Sequence, residues 1–124
     1  MNLLVDQLIR IIQNSTAVKS TKIVNVDESP SGHLELKIRC QLKKKYKVQV
    51  WIHQTDTYFH YSYQLFTTYP ILSWDNAPHY PNISSAPHHF HDEENRVTNS
   101  LLSGDVLQDI HIVLKEVITY IENN

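Results

Sequence analysis

The sequence predicts an α+β domain: an N-terminal helix, a four-stranded antiparallel meander, a long ordered loop and a C-terminal helix. Three observations carry this. Apolar residues recur at helical spacing near both ends. Between them, runs alternate apolar and polar residues with the period of a half-buried strand. The connections between those runs are short, which favours antiparallel hairpins. A chain of 124 residues suits one domain, here taken as 1–124, and can bury a sizeable core.

The first helix is expected over Asn2–Asn14, where Leu4, Leu8, Ile11 and Ile12 form a stripe widened by Val5 and Ile9. The sheet is expected over 21–66. Thr21–Glu28 is its weakest strand, and Ser29–Gly32 ("SPSG") is a turn signal. His33–Leu42 is the clearest, with apolar residues at every even position. After a turn at the lysine triplet 43–45, Tyr46, Val48, Val50 and Ile52 alternate with Lys47, Gln49, Trp51 and His53. Gln54–Asp56 turns the chain into Tyr58–Phe66, which sets Phe59, Tyr61, Tyr63 and Leu65 against Tyr58, His60, Ser62 and Gln64. The loop spans 67–102, with a fifth short strand at Ile71–Trp74 as an alternative reading. The last helix covers 105–122. Asp105 is its N-cap, Gln108 stands three residues later as in a capping box, and Val106, Ile110, Val113, Leu114, Val117 and Ile121 form its stripe.

Composition removes several function classes. Two glycines cannot build a glycine-rich phosphate cradle. No apolar run approaches the ~20 residues of a membrane span. The N-terminus lacks the pattern of a signal peptide, so a cytoplasmic location without membrane contact is expected. Cys40 is the single cysteine and falls at an apolar position of its strand, as a small buried hydrophobe would. Charge is uneven. Residues 1–50 carry nine Lys/Arg against four Asp/Glu, a net +5, and residues 51–124 carry two against nine, a net −7.

The segment from Ser73 to Glu94, "SWDNAPHYPNISSAPHHFHDEE", concentrates the chemistry. It holds His79, His88, His89 and His91, half of the chain's eight histidines. Loops of this length in a compact domain are usually functional or disordered, and Trp74, Tyr80, Ile83 and Phe90 can pin this one. Trp74, Asn76, Pro78 and Pro87 are read as structuring it. Three uses of the histidines compete. The first is acid–base chemistry, since imidazole exchanges protons near neutrality. Metal-free RNA cleavage needs a base on the 2′-hydroxyl, an acid at the 5′-oxygen and a cation near the phosphate. His79 and His91 would be the acid–base pair, His89 would contact phosphate and Asp75 would orient an imidazole. The second is a metal site, with a divalent ion such as zinc. His89 and His91, two residues apart, face the same way on an extended chain, and His79 or Asp75 could complete three ligands. The third is structural, the imidazoles bonding backbone groups or stacking on rings. His88 is the weakest of the four for chemistry, and His33, His53 and His111 are isolated along the chain. On the sheet, Lys37, Arg39, Lys47, Trp51 and His60 could share a polar face with Gln49 and Tyr58. That mixture suits a nucleic-acid backbone and unstacked bases, or is an ordinary solvated face.

Taken together, "YSYQ" at 61–64, "WDNAPHYP" at 74–81 and "PHHFH" at 87–91 resemble the TumE-like family. These are small bacterial and archaeal proteins regarded as toxins of two-gene toxin–antitoxin modules. The resemblance implies an antitoxin protein as partner and a toxic activity. Many relatives carry an arginine where this chain has Ser73, and a phosphate role for it would fall here to Arg39 or Arg96. The helix-then-meander order is also similar to many small toxin ribonucleases. The expected function is a ribonuclease toxin needing no cofactor, with RNA as substrate. The rivals are a binding module whose histidine loop is a structural or metal-binding knot, and a metal-dependent hydrolase.

Overall fold

The computed structural model describes residues 3–124. Asn2, where the sequence pattern starts the first helix, lies outside the described residues. Helix α1 covers Leu3–Asn14. Strands β1 (Ser20–Glu28), β2 (Leu34–Gln41), β3 (Lys47–Gln54), β4 (Phe59–Phe66), β5 (Pro70–Asp75), β6 (His89–His91) and β7 (Val97–Asn99) follow, then helix α2 (Val106–Glu122). All seven strands form one antiparallel sheet in chain order, β1 to β7.

The α+β class and the first four strands agree with the sequence reading. The alternative fifth strand at Ile71–Trp74 is present as well, as β5, but the rest of the expected loop is not one continuous loop. Residues 67–102 add three strands to the sheet rather than arching beside it, so the sheet has seven strands instead of four or five. Two of the segment's strands are three residues long, and β6 follows β5 only after the irregular stretch 76–88. Neither property leaves a periodic trace.

One face of the sheet packs on the helices. Leu36 and Ile38 of β2, Val48, Val50 and Ile52 of β3, and Tyr61, Tyr63 and Leu65 of β4 are buried there. Val5, Leu8 and Ile12 of α1 and Val106, Ile110, Val113, Val117 and Ile121 of α2 join the same cluster. Burying each such side chain stabilises the fold by roughly 1.5–3 kcal/mol. Asp105 caps α2, its carboxylate accepting from the N–H groups of Leu107 and Gln108 at 3.2 and 3.4 Å. One turn later the buried Asp109 accepts from the Ser103 and Gly104 N–H groups at 3.0 and 2.8 Å, tying the strand-to-helix connection to α2. Among the described residues no helix is long and apolar enough to cross a membrane.

The opposite face is polar. Strand register arranges it in rows: Lys37, Trp51, Ser62, Asp75, His89 and Asn99 form one, and Arg39, Gln49, Gln64, Ser73, His91 and Val97 the next. The functional side chains named from sequence thus fall largely on one surface.

Candidate functional site

The site begins with the way β5 ends. Asp75 is its last residue, and the next side chain, Asn76, completes the pairing to β4. Its Oδ1 accepts from the Tyr61 N–H at 3.0 Å and its Nδ2 donates to the Phe59 carbonyl at 2.7 Å. Asp75 is thereby held on the polar face, where its Oδ1 also accepts from the Ala77 N–H at 2.9 Å.

The chain then runs through 77–88 and returns as β6. Ser85 anchors that excursion. Its hydroxyl donates to the His88 carbonyl and accepts from the Ser100 N–H, while its N–H donates to Asn99 Oδ1. His88, weakest of the four by sequence, is a structural clamp. Its Nδ1 shares a 2.8 Å hydrogen bond with Tyr61 Oη, and the two rings stack on the core side. Gly104 lies against it: a Cβ there would meet His88 Cε1 at 3.3 Å. Trp74 and Phe90 pack together on the same side, 5.1 Å between centroids.

Alternation sends the neighbours of His88 and Phe90 the other way. His89 and His91 emerge on the polar face beside Asp75. His89 Nε2 lies 2.9 Å from Asp75 Oδ1, and His89 Nδ1 donates to the Pro87 carbonyl at 3.2 Å. His91 stands edge-on to His89 with centroids 5.1 Å apart, and its Nδ1 donates to Asn95 Oδ1 at 3.3 Å. Metal-competent atoms of Asp75, His89 and His91 all lie within 4.8 Å of one another. Tyr80 covers the pair, its ring 4.7 Å from His89 and 5.9 Å from His91. His89 is only 1% exposed, while His91 is half-buried. A cleft lined by Ser73, His91, Asp92, Glu93 and Asn95 opens beside it, with a volume near 280 Å³. A larger cleft of about 510 Å³, lined in part by Ile11, His111, Leu114 and Ile118, belongs to the two helices instead.

His79 is not drawn into this cluster. It is exposed, and its imidazole makes no hydrogen bond, ion pair or ring contact among the described residues. Pro78 and Pro87 are exposed in the same excursion, and only the Pro87 carbonyl touches the site. The histidines that do meet Asp75 sit on a strand of the sheet, not on an overhanging loop.

Towards β2 and β3 the face becomes basic and aromatic. Arg39 donates to Gln49 Oε1 at 2.8 Å, and both Arg39 and Lys47 lie over the Phe66 ring, at 6.0 and 5.9 Å. Trp51, His53, Tyr58 and His60 form a continuous series of ring contacts of 4.5–5.7 Å. Trp51 also donates to Glu35 at 3.4 Å, and Lys37 faces Trp51 across the ladder. Arg96 is committed elsewhere, to Asp92 at 3.1 Å and Glu94 at 3.0 Å.

Sequence reasoning gave no chemical weight to His53, Tyr80 or Asn95. His53 appears isolated along the chain but lies opposite His60 once β3 and β4 pair. Asn95 carries a weak signal, since asparagine is among the residues that accept a positive φ, and it holds 61° in the β6–β7 turn.

A family model described as Toxin TumE matches residues 8–124. No curated protein and no solved structure matches the chain. The matched span takes in the sheet, both clamp residues Tyr61 and His88, and the whole Asp75–His89–His91 cluster. With nearly all of its length covered, the chain belongs to the TumE toxin family and is the toxin component of a toxin–antitoxin module.

Proposed function

We propose that this toxin is an endoribonuclease that binds RNA across the polar face of its sheet and cuts it at the Asp75–His89–His91 end. One observation carries the reading: the cluster and the basic, aromatic strip share a single face of one continuous sheet. Neighbouring strands lie about 4.8 Å apart, so β2 to β6 is on the order of 20 Å, room for several nucleotides. Lys37, Arg39 and Lys47 suit phosphates, and the series from Trp51 to His60 suits unstacked bases.

In the reaction, the 2′-oxygen forms a bond to phosphorus while the bond from phosphorus to the 5′-oxygen breaks. The 2′-hydroxyl loses its proton to a base at the cluster, and the departing 5′-oxygen takes one from a second, protonated imidazole. His60, diagonal to Asp75 across β4, is the imidazole outside the cluster that strand register brings towards it. An antitoxin protein would hold the activity in check by covering this face.

Incubation of a mixed RNA pool with the purified chain tests the proposal. Cleavage should fall by about 10²-fold or more in His91→Ala and in Asp75→Asn, the scale of a lost proton-transfer group. RNA left intact by the unmodified chain would remove the ribonuclease reading and leave a toxin that acts by binding.

A further inference from the structure

We infer that Asp75, His89 and His91 form a binding centre for a divalent transition metal, zinc being the best chemical match. The argument starts from hydrogen-bond polarity. The Pro87 carbonyl can only accept, so His89 Nδ1 carries a proton. A neutral imidazole in that tautomer has a lone pair on Nε2. That nitrogen faces Asp75 Oδ1 at 2.9 Å, and a carboxylate oxygen is again only an acceptor. Two acceptors this close repel unless a proton lies between them or a metal ion beside both is bound by the two together.

The rest of the cluster favours the metal. His91 Nδ1 is tied to Asn95 Oδ1, which directs its Nε2 away from that contact, and its ring stands beside His89. Each imidazole therefore uses Nδ1–H on an oxygen acceptor and keeps Nε2 for a ligand, the outer-shell pattern of metal-bound histidines. The carboxylate has an outer partner too, the Ala77 N–H. Two imidazoles and a carboxylate suit zinc and its neighbours among the divalent d-block ions and leave room for water or a substrate oxygen. Asp92 and Glu93 rim the adjoining cleft and add negative potential. His89, only 1% exposed, is better placed to hold an ion than to exchange a proton with RNA.

Metal binding stands apart from the ribonuclease reading, and only a role in cleavage rests on it. Such an ion would lower the pKa of bound water and so supply a base at neutral pH.

The test uses full-length, tag-free chain, stripped of metal and titrated with zinc, and with cobalt for its visible spectrum. One tightly bound equivalent is expected, with a raised thermal midpoint. His91→Ala and Asp75→Asn should abolish that equivalent while circular dichroism stays native. Asn95→Ala, which touches only the outer shell, should weaken it by about 10- to 100-fold. His79→Ala should leave it intact. Zinc retained by the cluster variants but lost in His79→Ala would mean an adventitious ion only and would overturn the inference, as would weak, non-saturating binding. RNA assays separate the two ideas. Stoichiometric cluster metal without cleavage keeps the centre and removes the ribonuclease. Cleavage by metal-stripped protein removes the metal's role in the reaction.

Discussion

Tyr61 and Tyr63 stand two residues apart on the buried face of β4 and differ in one respect: Tyr61 Oη bonds His88, whereas Tyr63 Oη has no protein partner among the described residues. Burial, reinforced by the Asp109 charge, pushes both phenols well above their ordinary range, so both stay protonated. Their removal should have opposite consequences. Tyr61→Phe leaves His88 Nδ1 unpaired and should cost about 1 kcal/mol, a fall in thermal midpoint of roughly 4 °C. Tyr63→Phe deletes an unpaired hydroxyl and should be neutral or slightly stabilising. Parallel melting of the two variants checks this, and a destabilised Tyr63→Phe beside an unchanged Tyr61→Phe would refute it. Cys40 follows the same logic of burial. Its thiol is pushed up to about 11, which makes it a packing residue and a poor nucleophile.

The hairpin of β6 and β7 shows how a very short element can hold a site. Its turn is organised by Asp92, whose Oδ1 accepts from the N–H groups of Glu94 and Arg96, both at 2.9 Å. These bonds, with the Arg96 guanidinium, hold the Asp92 carboxyl below its usual range. Its contribution is complete above the ordinary carboxylate value near 4 and is lost as pH falls through the lower folded value. Asp92→Ala should therefore melt below the unmodified chain at neutral pH, with faster amide exchange at 94–96, and the gap should close below about pH 4. A gap that widened on acidification would contradict this account. Legibility in the sequence divides along the same lines. Helix α2 is plain because its cap and stripe are local, and β2 to β4 because eight residues suffice for alternation. Strands β6 and β7 are hidden because three residues show no period, and the irregular stretch 76–88 separates β6 from β5. The same holds for the site. Asp75, His89 and His91 can be named from composition and spacing. That they meet one another, while His79 stays out, depends on the register of β5 against β6.

Across the whole molecule, the polar face runs from cationic and aromatic at β2 and β3 to imidazole and carboxylate at β5 and β6. A polyanion would engage the first end through charge and be positioned at the second. Replacing Lys37, Arg39 and Lys47 together by Ala should weaken RNA binding uniformly across sequences. The slope of log affinity against log salt should flatten by about 0.7 for each phosphate no longer neutralised, or roughly two in all. An unchanged slope would move the RNA off this face. The strand order has a different consequence, one of timing. Every strand pairs with its predecessor, so the sheet can extend one hairpin at a time as the chain is synthesised, with mostly local pairing and a small entropic cost at each step. Asp75, His89 and His91 are all in hand once residue 91 has emerged, whereas the cover that α1 begins on the core face is completed only when α2 arrives. During synthesis the chemical surface can thus be assembled before the molecule is sealed, and an antitoxin that recognised this surface would have its target before the toxin is finished.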